Sequence, residues 1–418
     1  MSRRPLRAPQ FTTASATQPR WYRLVNRVGR VLPRGRTPSA EALFASAARR
    51  LRTRVEPCPE TVAALTALVR ALQDEAELSC AGRIAARADC LRMAGQHLAI
   101  EQALRDEPAI RDVALPAPIF LVGWMRTGTT FVHRLLARDP ETRTMPYWES
   151  MYPVPPRGRD DRPERLTRVL AQLEGISPSY LAIHPMSAHD PEECVALFTN
   201  VFRTLQYEVQ YRVPGYVAWL LAEDPRIAYG QYHRQLQLVQ YHRPHGTRFA
   251  LKDPTHSVFL DTILGLFPDA RFVFTHRDPV ATLSSLASLY AYTRAIFSDD
   301  VAPRTLGPAL LAGHLPASLE RALAIADRLP PGRVAHVRHA DVRRDPVGTM
   351  ARAYADLGLT LGEPARERMQ AMVAAESRAP RSVHVHDPSA FGLVPDAVRE
   401  RFAAYRARFD LDRDARAA

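Results

Sequence analysis

Residues 126–130, Arg-Thr-Gly-Thr-Thr, place a cation, three hydroxyls and a glycine directly after a short apolar run. The run, 119–122, is typical of a buried strand, and helical periodicity starts at once behind the loop. Gly123 and Gly128 have the spacing of a phosphate-binding loop, but the lysine that follows the second glycine in NTPases is absent. The cation is instead Arg126, inside the loop. The pattern predicts that backbone N–H groups at a helix N-terminus hold a phosphate.

A second cluster follows the apolar run 271–276, which predicts another strand. Arg277 comes directly after it, and Ser285 lies two turns into a helix predicted to begin at Pro279. Ligands bind at the carboxyl ends of strands in open α/β sheets. A guanidinium and a hydroxyl beside a helix N-terminus make a second phosphate site. Two such sites suit a ligand that carries phosphates at two places.

The chain contains a single lysine, Lys252, among 56 basic residues. It ends the predicted strand 248–252, so it is expected at the same edge of the sheet. A lysine is a compact point charge, whereas arginine is a planar fork. Lys252 is interpreted as a functional cation, with chance as the alternative.

These motifs resemble those of the sulfotransferases that use 3′-phosphoadenosine 5′-phosphosulfate (PAPS). The resemblance covers roughly residues 118–360 and rests on Arg-x-Gly-Thr-Thr after the first strand and Arg-Asp-Pro-x5-Ser after a later one. It implies that the first motif binds the 5′-phosphosulfate and the second the 3′-phosphate. Where many members have Tyr-Glu-Asp, this chain has Arg-His-Ala-Asp at 338–341, which leaves His339 as the aromatic near adenine. The implied co-substrate contacts are Arg126, Thr127, Gly128, Thr129, Thr130, Arg277, Ser285 and, from a basic C-terminal segment, Arg381.

Sulfuryl transfer, like phosphoryl transfer, requires in-line positioning and cations around a developing negative charge. Arg126 and Lys252 are the groups expected to stabilise charge on the bridging oxygen. Nothing in this chemistry demands a metal, and no metal site is predicted.

The acceptor hydroxyl needs a general base, for which four residues compete. Glu149 lies where glutamate-using members have their base; the alternative is an exposed loop residue. His256, four residues after the lysine, is its rival, or simply the start of a helix. Glu192 and Glu193 are further candidates, although a capping box at the start of a predicted helix also explains them.

Strands alternate with helices, which predicts an α/β fold, a parallel sheet flanked by helices as in the P-loop-like sulfotransferases, with an N-terminal helical extension. We divide the chain into a basic, mobile tail (1–36), a helical N-terminal subdomain (37–112) and a sulfotransferase domain (113–418) with a C-terminal helical segment. The predicted strands are 119–122, 248–252, 271–276 and 334–337. The predicted helices outside the N-terminal subdomain are one that starts at Thr129 and those at 190–205, 225–243, 258–267, 279–289, 346–357 and 395–408, with a loop at 146–163.

The charge is unevenly distributed along the 418 residues. The net charge is +12, but the first 36 residues hold nine arginines and no acid. The remainder is nearly neutral, which argues against a nucleic-acid partner. The tail is expected either to be solvated or to form a helix at a membrane surface. The sequence has no apolar stretch long enough for a membrane span or a signal peptide, and its four cysteines are not clustered. These features predict a cytoplasmic location. Contact with the inner face of the membrane through the tail is the further expectation.

The favoured function is transfer of a sulfuryl group from PAPS to a hydroxyl of a small or lipid-like molecule. A P-loop kinase or nucleotide hydrolase is the first alternative, although the Gly-Lys-Ser/Thr signature is missing. A non-catalytic nucleotide-binding protein is the second, although the motif set is nearly complete. The sequence predicts neither the acceptor nor the oligomeric state.

Overall fold

The computed structural model describes residues 18–31, 35, 37–378 and 387–412. Five parallel strands form one sheet in the order β2-β3-β1-β4-β5, which confirms the predicted α/β class. The strands are β1 (Ile119–Val122), β2 (Thr142–Arg143), β3 (Arg248–Lys252), β4 (Arg271–His276) and β5 (Val334–Arg338). None of the helices within these ranges is long and apolar enough to cross a membrane.

Helices pack around the sheet and extend from it at the N-terminal side. In chain order, α1 to α21 are Arg20–Gly29, Ala40–Leu51, Pro59–Asp74, Cys80–Asp106, Thr129–Leu136, Tyr147–Met151, Arg162–Ile176, Pro178–Ile183, Val195–Thr199, Gln206–Gln210, Pro214–Ala222, Pro225–His242, Leu260–Leu266, Pro279–Phe297, Pro303–Ala312, Leu315–Ala326, His339–Arg344, Pro346–Asp356, Glu363–Arg378, Pro395–Arg401 and Ala403–Arg408.

The central strands bring three sequence motifs to one edge of the sheet. All four residues of β1 are buried, and it pairs with β3 on one side and β4 on the other. The register sets Leu121 beside Lys252 and Val122 beside Phe274. Because parallel strands end at the same edge, the loop after β1 lies between the end of β3 and the turn that carries Arg277.

The predicted helix 190–205 is wrong over most of its length. Only Val195–Thr199 is helical, and the preceding residues run extended along the sheet edge. Pro191 forms a bridge with Pro146, and the amide of Cys194 donates to the carbonyl of Lys252 at 2.7 Å. These tertiary hydrogen bonds replace the predicted helix cap.

Smaller differences concern element boundaries. The predicted loop 146–163 contains α6 and the start of α7, and the predicted helix 279–289 continues to Phe297. The predicted helix 395–408 is divided into α20 and α21, and the two-residue strand β2 was not predicted.

The N-terminal helices α2–α4 share a hydrophobic core with helices of the main body. Phe44 and Leu65 pack in the same buried cluster as Phe202, Tyr216 and Phe297. Helices α2–α4 therefore share one hydrophobic core with helices of the main body.

Helix α1 lies within the segment predicted to be a mobile tail. Its Tyr22 hydroxyl donates to the carbonyl of Ile296, and the Asn26 amide donates to Asp299 at 3.0 Å. Both acceptors lie at or just beyond the C-terminal end of α14. Residues 20–29 are thus anchored on the body, in contrast to the solvated tail that the arginine content suggested.

Candidate functional site

A cleft of about 310 Å³ opens at the carboxyl edge of the sheet, in the size range of small-molecule sites. It is lined by Met125, Arg126, Gly128, Thr129, Thr130, Phe131, Tyr147, Tyr180, His184, Met186, Glu192, Glu193, Val195, Gln206, Val209, Arg277, Leu289 and His339. The wall therefore combines the phosphate-loop residues, two carboxylates and an apolar side.

The loop between β1 and α5 is held in a conformation that exposes its backbone to the cleft. Gly128 has a φ of +95°, and a Cβ there would lie 2.9 Å from the His339 ring, so glycine is required twice over. The hydroxyl of Thr127 is buried and bonds the Trp124 carbonyl and the Thr275 hydroxyl, each at 2.6 Å. Thr127 thus holds the loop, and its hydroxyl is not turned to the cleft.

Two arginines meet at the cleft. Arg126 donates from Nε to the Ser285 hydroxyl at 3.0 Å and from Nη1 to the Ile183 carbonyl at 3.4 Å. Arg277 donates to the Arg126 carbonyl at 2.9 Å. Burial lowers the pKa of Arg126, and the nearby Arg277 guanidinium lowers it further, with Glu193 offsetting part. The two guanidinium groups lie close together and donate to a hydroxyl and to backbone carbonyls, which are neutral. They are therefore suited to bind an anionic ligand.

A third cation and an imidazole lie beside Arg277. Burial lowers the pKa of His339 to about 3, and the charges of Arg277 and Arg343 lower it too, so the ring is neutral at pH 7. The pKa of Arg277 is likewise lowered by burial, with the neighbouring Asp278 carboxylate offsetting part of the effect and Arg343 adding to it. Sequence reasoning missed Arg343; its position five residues after the end of β5 was the available signal.

Lys252 is fully buried behind the loop. Its Nζ lies 3.1 Å from Glu193 Oε1 and 3.5 Å from Glu192 Oε1, and donates to the Thr130 hydroxyl at 3.2 Å. Burial alone would lower the pKa of Lys252, but Glu193 and Glu192 outweigh it and raise that pKa above its ordinary value. Lys252 therefore remains charged and joins the phosphate loop to the two carboxylates.

The two glutamates are not helix caps: the helix that follows them, α9, has Cys194 at its N-cap position and no side-chain cap hydrogen bond. Glu192 Oε1 accepts the backbone N–H of Glu193 at 3.0 Å as well as facing the lysine. The Glu193 side chain is 17% exposed against 8% for Glu192, and both line the cleft. Glu193 is the more exposed of the two carboxylates.

The structure does not bring Glu149 into the cleft, which corrects the position predicted for it. Its neighbour Tyr147 lines the cleft, but two residues along a helix turn a side chain by about 200°. Glu149 is buried on the other side, where it pairs with Arg143 at 3.1 Å and Arg243 at 3.3 Å. Glu149 is therefore held in a buried ion pair and does not face the cleft.

His256 is also absent from the cleft, contrary to its predicted place. It is completely buried, with Nδ1 2.9 Å from the Tyr229 hydroxyl and its ring edge-on to Phe120. Burial lowers the pKa of His256 to about 3. An aromatic core histidine explains this geometry.

The remaining predicted co-substrate contacts divide into two groups. Gly128, Thr129 and Thr130 line the cleft, and Ser285 reaches it through Arg126. Arg381 lies outside the described residues.

The apolar wall, formed by Met186, Val195, Val209 and Leu289, was not identified from sequence, because isolated apolar residues have no signature of their own.

One group of potential metal ligands occurs within the described residues, away from the cleft. Cys58, His97 and Glu101 have ligand atoms within 4.8 Å of one another. His97 Nε2 accepts the backbone N–H of Cys58 at 3.3 Å, and burial together with Glu101 raises the pKa of the Cys58 thiol to about 11. A hydrogen-bonded cluster with a neutral thiol accounts for this arrangement.

Asp253 lies directly behind the lysine and is buried. Its Oδ1 accepts the backbone N–H of Thr255 at 2.9 Å and the Thr255 hydroxyl at 2.6 Å, while its Oδ2 has no hydrogen-bond partner. Burial and the charge of Glu193 raise the pKa of Asp253 to about 7. Its carboxyl group therefore titrates near neutrality beside the lysine cluster.

Comparison with known proteins gives related sequences over the region of the cleft. A profile described as the sulfotransferase family matches residues 118–363. The omega-hydroxy-beta-dihydromenaquinone-9 sulfotransferases Stf3 of Mycobacterium bovis and Mycobacterium tuberculosis are each 28% identical over 261 residues, 58% of this chain. The alignment spans 63% of the length of these curated relatives.

Two solved structures share the architecture. Sulfotransferase STF1 from Mycobacterium tuberculosis H37Rv is 30% identical, with a TM-score of 0.77 over 89% of this chain and 100% of its own. Sulfotransferase STF9 from Mycobacterium avium is 24% identical, with a TM-score of 0.80 over 91% of this chain and 98% of its own. At that identity the second likeness concerns the fold alone.

The raised pKa of Asp253 predicts a pH-dependent stability. The unfolded side chain ionises near pH 4, whereas the folded one keeps its proton to about pH 7. Between these values the folded state binds more protons, so this residue's contribution to stability is lost as the pH rises through 7. When the pH is raised from 5 to 8, the unfolding free energy of the wild type should fall by about 2–3 kcal/mol relative to that of Asp253→Asn, which lacks the titrating carboxyl group.

Urea unfolding at the two pH values measures this change. Asp269→Asn, at an exposed position, is the matched control and should show no such difference from the wild type. An equal response of the two variants would contradict the assigned proton on Asp253.

Proposed function

Because the chain belongs to the sulfotransferase family, we propose that it transfers a sulfuryl group from PAPS to a hydroxyl of a small or lipid-like acceptor. The observation that carries this proposal is the convergence of Arg126, Arg277 and Glu193 on one cleft at the sheet edge, with Lys252 buried against Glu193. Cations for two anionic groups and a carboxylate for a proton are what the reaction requires.

The donor would occupy the phosphate loop and the second motif together. The N-terminus of α5, with Thr129 and Thr130, suits the 5′-phosphosulfate. Arg277 and Ser285 suit the 3′-phosphate, as the resemblance implies, and Arg343 adds positive charge there. A bound phosphate would replace the hydrogen bond that Arg126 now donates to Ser285.

Transfer breaks the bond between the sulfur and the bridging oxygen of the donor and forms one from the acceptor oxygen to sulfur. Negative charge develops on the bridging oxygen, which Lys252 and Arg126 would stabilise. Glu193 would take the proton of the acceptor hydroxyl, since it lines the cleft and is the more exposed partner of the lysine. Adenosine 3′,5′-bisphosphate and a sulfate ester leave.

The acceptor is proposed to be lipid-like because part of the lining of the cleft is apolar. Met186, Val209 and Leu289 line it, and Tyr180 closes one side. The curated relatives are named as sulfotransferases for a hydroxylated menaquinone, and the same chemical class would suit this wall.

Arg277 carries the clearest prediction for the donor. Arg277→Ala should weaken adenosine 3′,5′-bisphosphate binding about 10- to 100-fold, since one charge-assisted contact with the 3′-phosphate is lost. Titration calorimetry measures the affinity. Arg226→Ala, at an exposed ion pair on α12, is the control and should bind normally. Absence of wild-type binding would overturn the proposed donor.

Glu193 carries the prediction for the base. Glu193→Gln should lower kcat about 10²- to 10⁴-fold because the base is lost, while the folded protein still binds the bisphosphate. It should also be less stable than wild type, because Lys252 keeps only Glu192 as a carboxylate partner. The matched variant Glu149→Gln breaks the buried pair with Arg143 and should cost about 3 kcal/mol of stability. Its turnover should persist below its melting temperature.

Steady-state kinetics with radiolabelled PAPS and an alcohol acceptor, alongside thermal unfolding, distinguish the two glutamates. Loss of turnover in a folded Glu149→Gln protein, with activity kept in Glu193→Gln, would reverse the assignment.

A further inference from the structure

Helix α1 presents three separate faces. Tyr22, Asn26 and Gly29 face the body and are buried. Gly29 permits the close approach, since a Cβ there would lie 2.1 Å from the Cβ of Cys80 on α4. Trp21 and Val28 belong to a second face that is exposed. The helix is therefore fixed in orientation by one face while the other two remain outward.

The outward apolar face is unusually concentrated. Five of the eleven large apolar side chains that the described residues expose lie within eleven positions of α1 and its C-terminal extension, namely Trp21, Leu24, Val25, Val28 and Val31. Trp21 is 55% exposed and Leu24 59%. Soluble proteins keep such apolar patches small, so a contiguous one indicates an interaction surface.

The third face is basic. Arg20, Arg23, Arg27 and Arg30 recur at helical spacing and are all exposed. Of these, Arg30 pairs with Asp299 of the body at 3.0 Å while its side chain remains 71% exposed. No acid occurs in the first 36 residues to neutralise the others locally. A cationic stripe beside an apolar stripe is the arrangement of helices that lie in the headgroup region of a bilayer.

We propose that α1 docks the protein on an anionic lipid bilayer. The apolar face would enter the boundary between headgroups and acyl chains, and the arginines would contact lipid phosphates. Charge complementarity decides the occupant: a second copy would bring a second set of arginines to the same face, and like charges would repel.

The position of α1 relates the surface to the cleft. The helix is anchored to Ile296 near the end of α14, and Leu289 of α14 lines the cleft. Seven residues of helix separate these points by about 10 Å. The anchor point of α1 is therefore about 10 Å from a residue that lines the apolar part of the cleft.

Co-sedimentation of the full chain with vesicles tests the proposal. Vesicles of phosphatidylcholine with about one-third phosphatidylglycerol should bind the protein, and phosphatidylcholine alone should bind it at least about tenfold less well. Raising the salt from about 0.1 M to about 0.5 M should weaken binding. The triple variant Trp21→Ser, Leu24→Ser, Val28→Ser should lose about tenfold or more in partitioning.

The matched control replaces exposed apolar residues elsewhere, as Ile84→Ser, Val169→Ser, Val394→Ser, and should bind like wild type. If the α1 triple variant does not fold, Arg20→Gln, Arg23→Gln, Arg27→Gln should still weaken binding to anionic vesicles.

No wild-type binding, or equal binding of the α1 variants, would overturn the proposal. A concentration-dependent dimer that the triple variant abolishes, without vesicle binding, would assign the face to a second copy. The readout is binding without turnover, so it is independent of the proposed sulfuryl transfer.

Discussion

The buried ion cluster of Lys252 with Glu192 and Glu193 is the interaction on which the candidate site depends. A fully buried ammonium is costly unless it is paired and hydrogen-bonded. Here the charge is compensated by two carboxylates and by the hydroxyl of Thr130. This requirement holds three separate parts of the chain together: the end of β3, the phosphate loop and the extended segment before α9. The backbone hydrogen bond from Cys194 to the lysine carbonyl fixes the same junction.

The other half of the cleft has the opposite electrostatic character. Arg277 lies near both Arg126 and Arg343, and the pKa values of Arg126 and Arg277 are lowered because burial and a neighbouring guanidinium disfavour the charged form. The parallel sheet is what concentrates them, since it brings the ends of β1, β4 and β5 to one edge. One side of the cleft is therefore suited to an anion and the other to proton transfer. An acceptor would meet the donor where the two sides join.

The sequence predicted the parts of the site that local patterns encode. The phosphate loop and Arg277 each follow a strand with a clear apolar run, and Lys252 ends another strand. Parallel pairing of the three strands determines where these residues meet. The surroundings of Glu193 could not be predicted, because its sequence fits a capping box as well as a tertiary ion pair, and the structure has the ion pair with Lys252. Glu149 and His256 were predicted in the cleft but are buried elsewhere, for a related reason. The spacing of residues along the sequence does not show towards which part of the protein interior a side chain points. Arginine content likewise concealed that α1 has a buried face.

A crystal structure with adenosine 3′,5′-bisphosphate tests the central claim most directly. The account predicts the 5′-phosphate on the loop within hydrogen-bonding distance of Lys252, the 3′-phosphate on Arg277 and Ser285, and Glu193 facing the vacant sulfuryl position. A nucleotide bound away from the loop, or Glu149 turned into the cleft in place of Glu193, would contradict it.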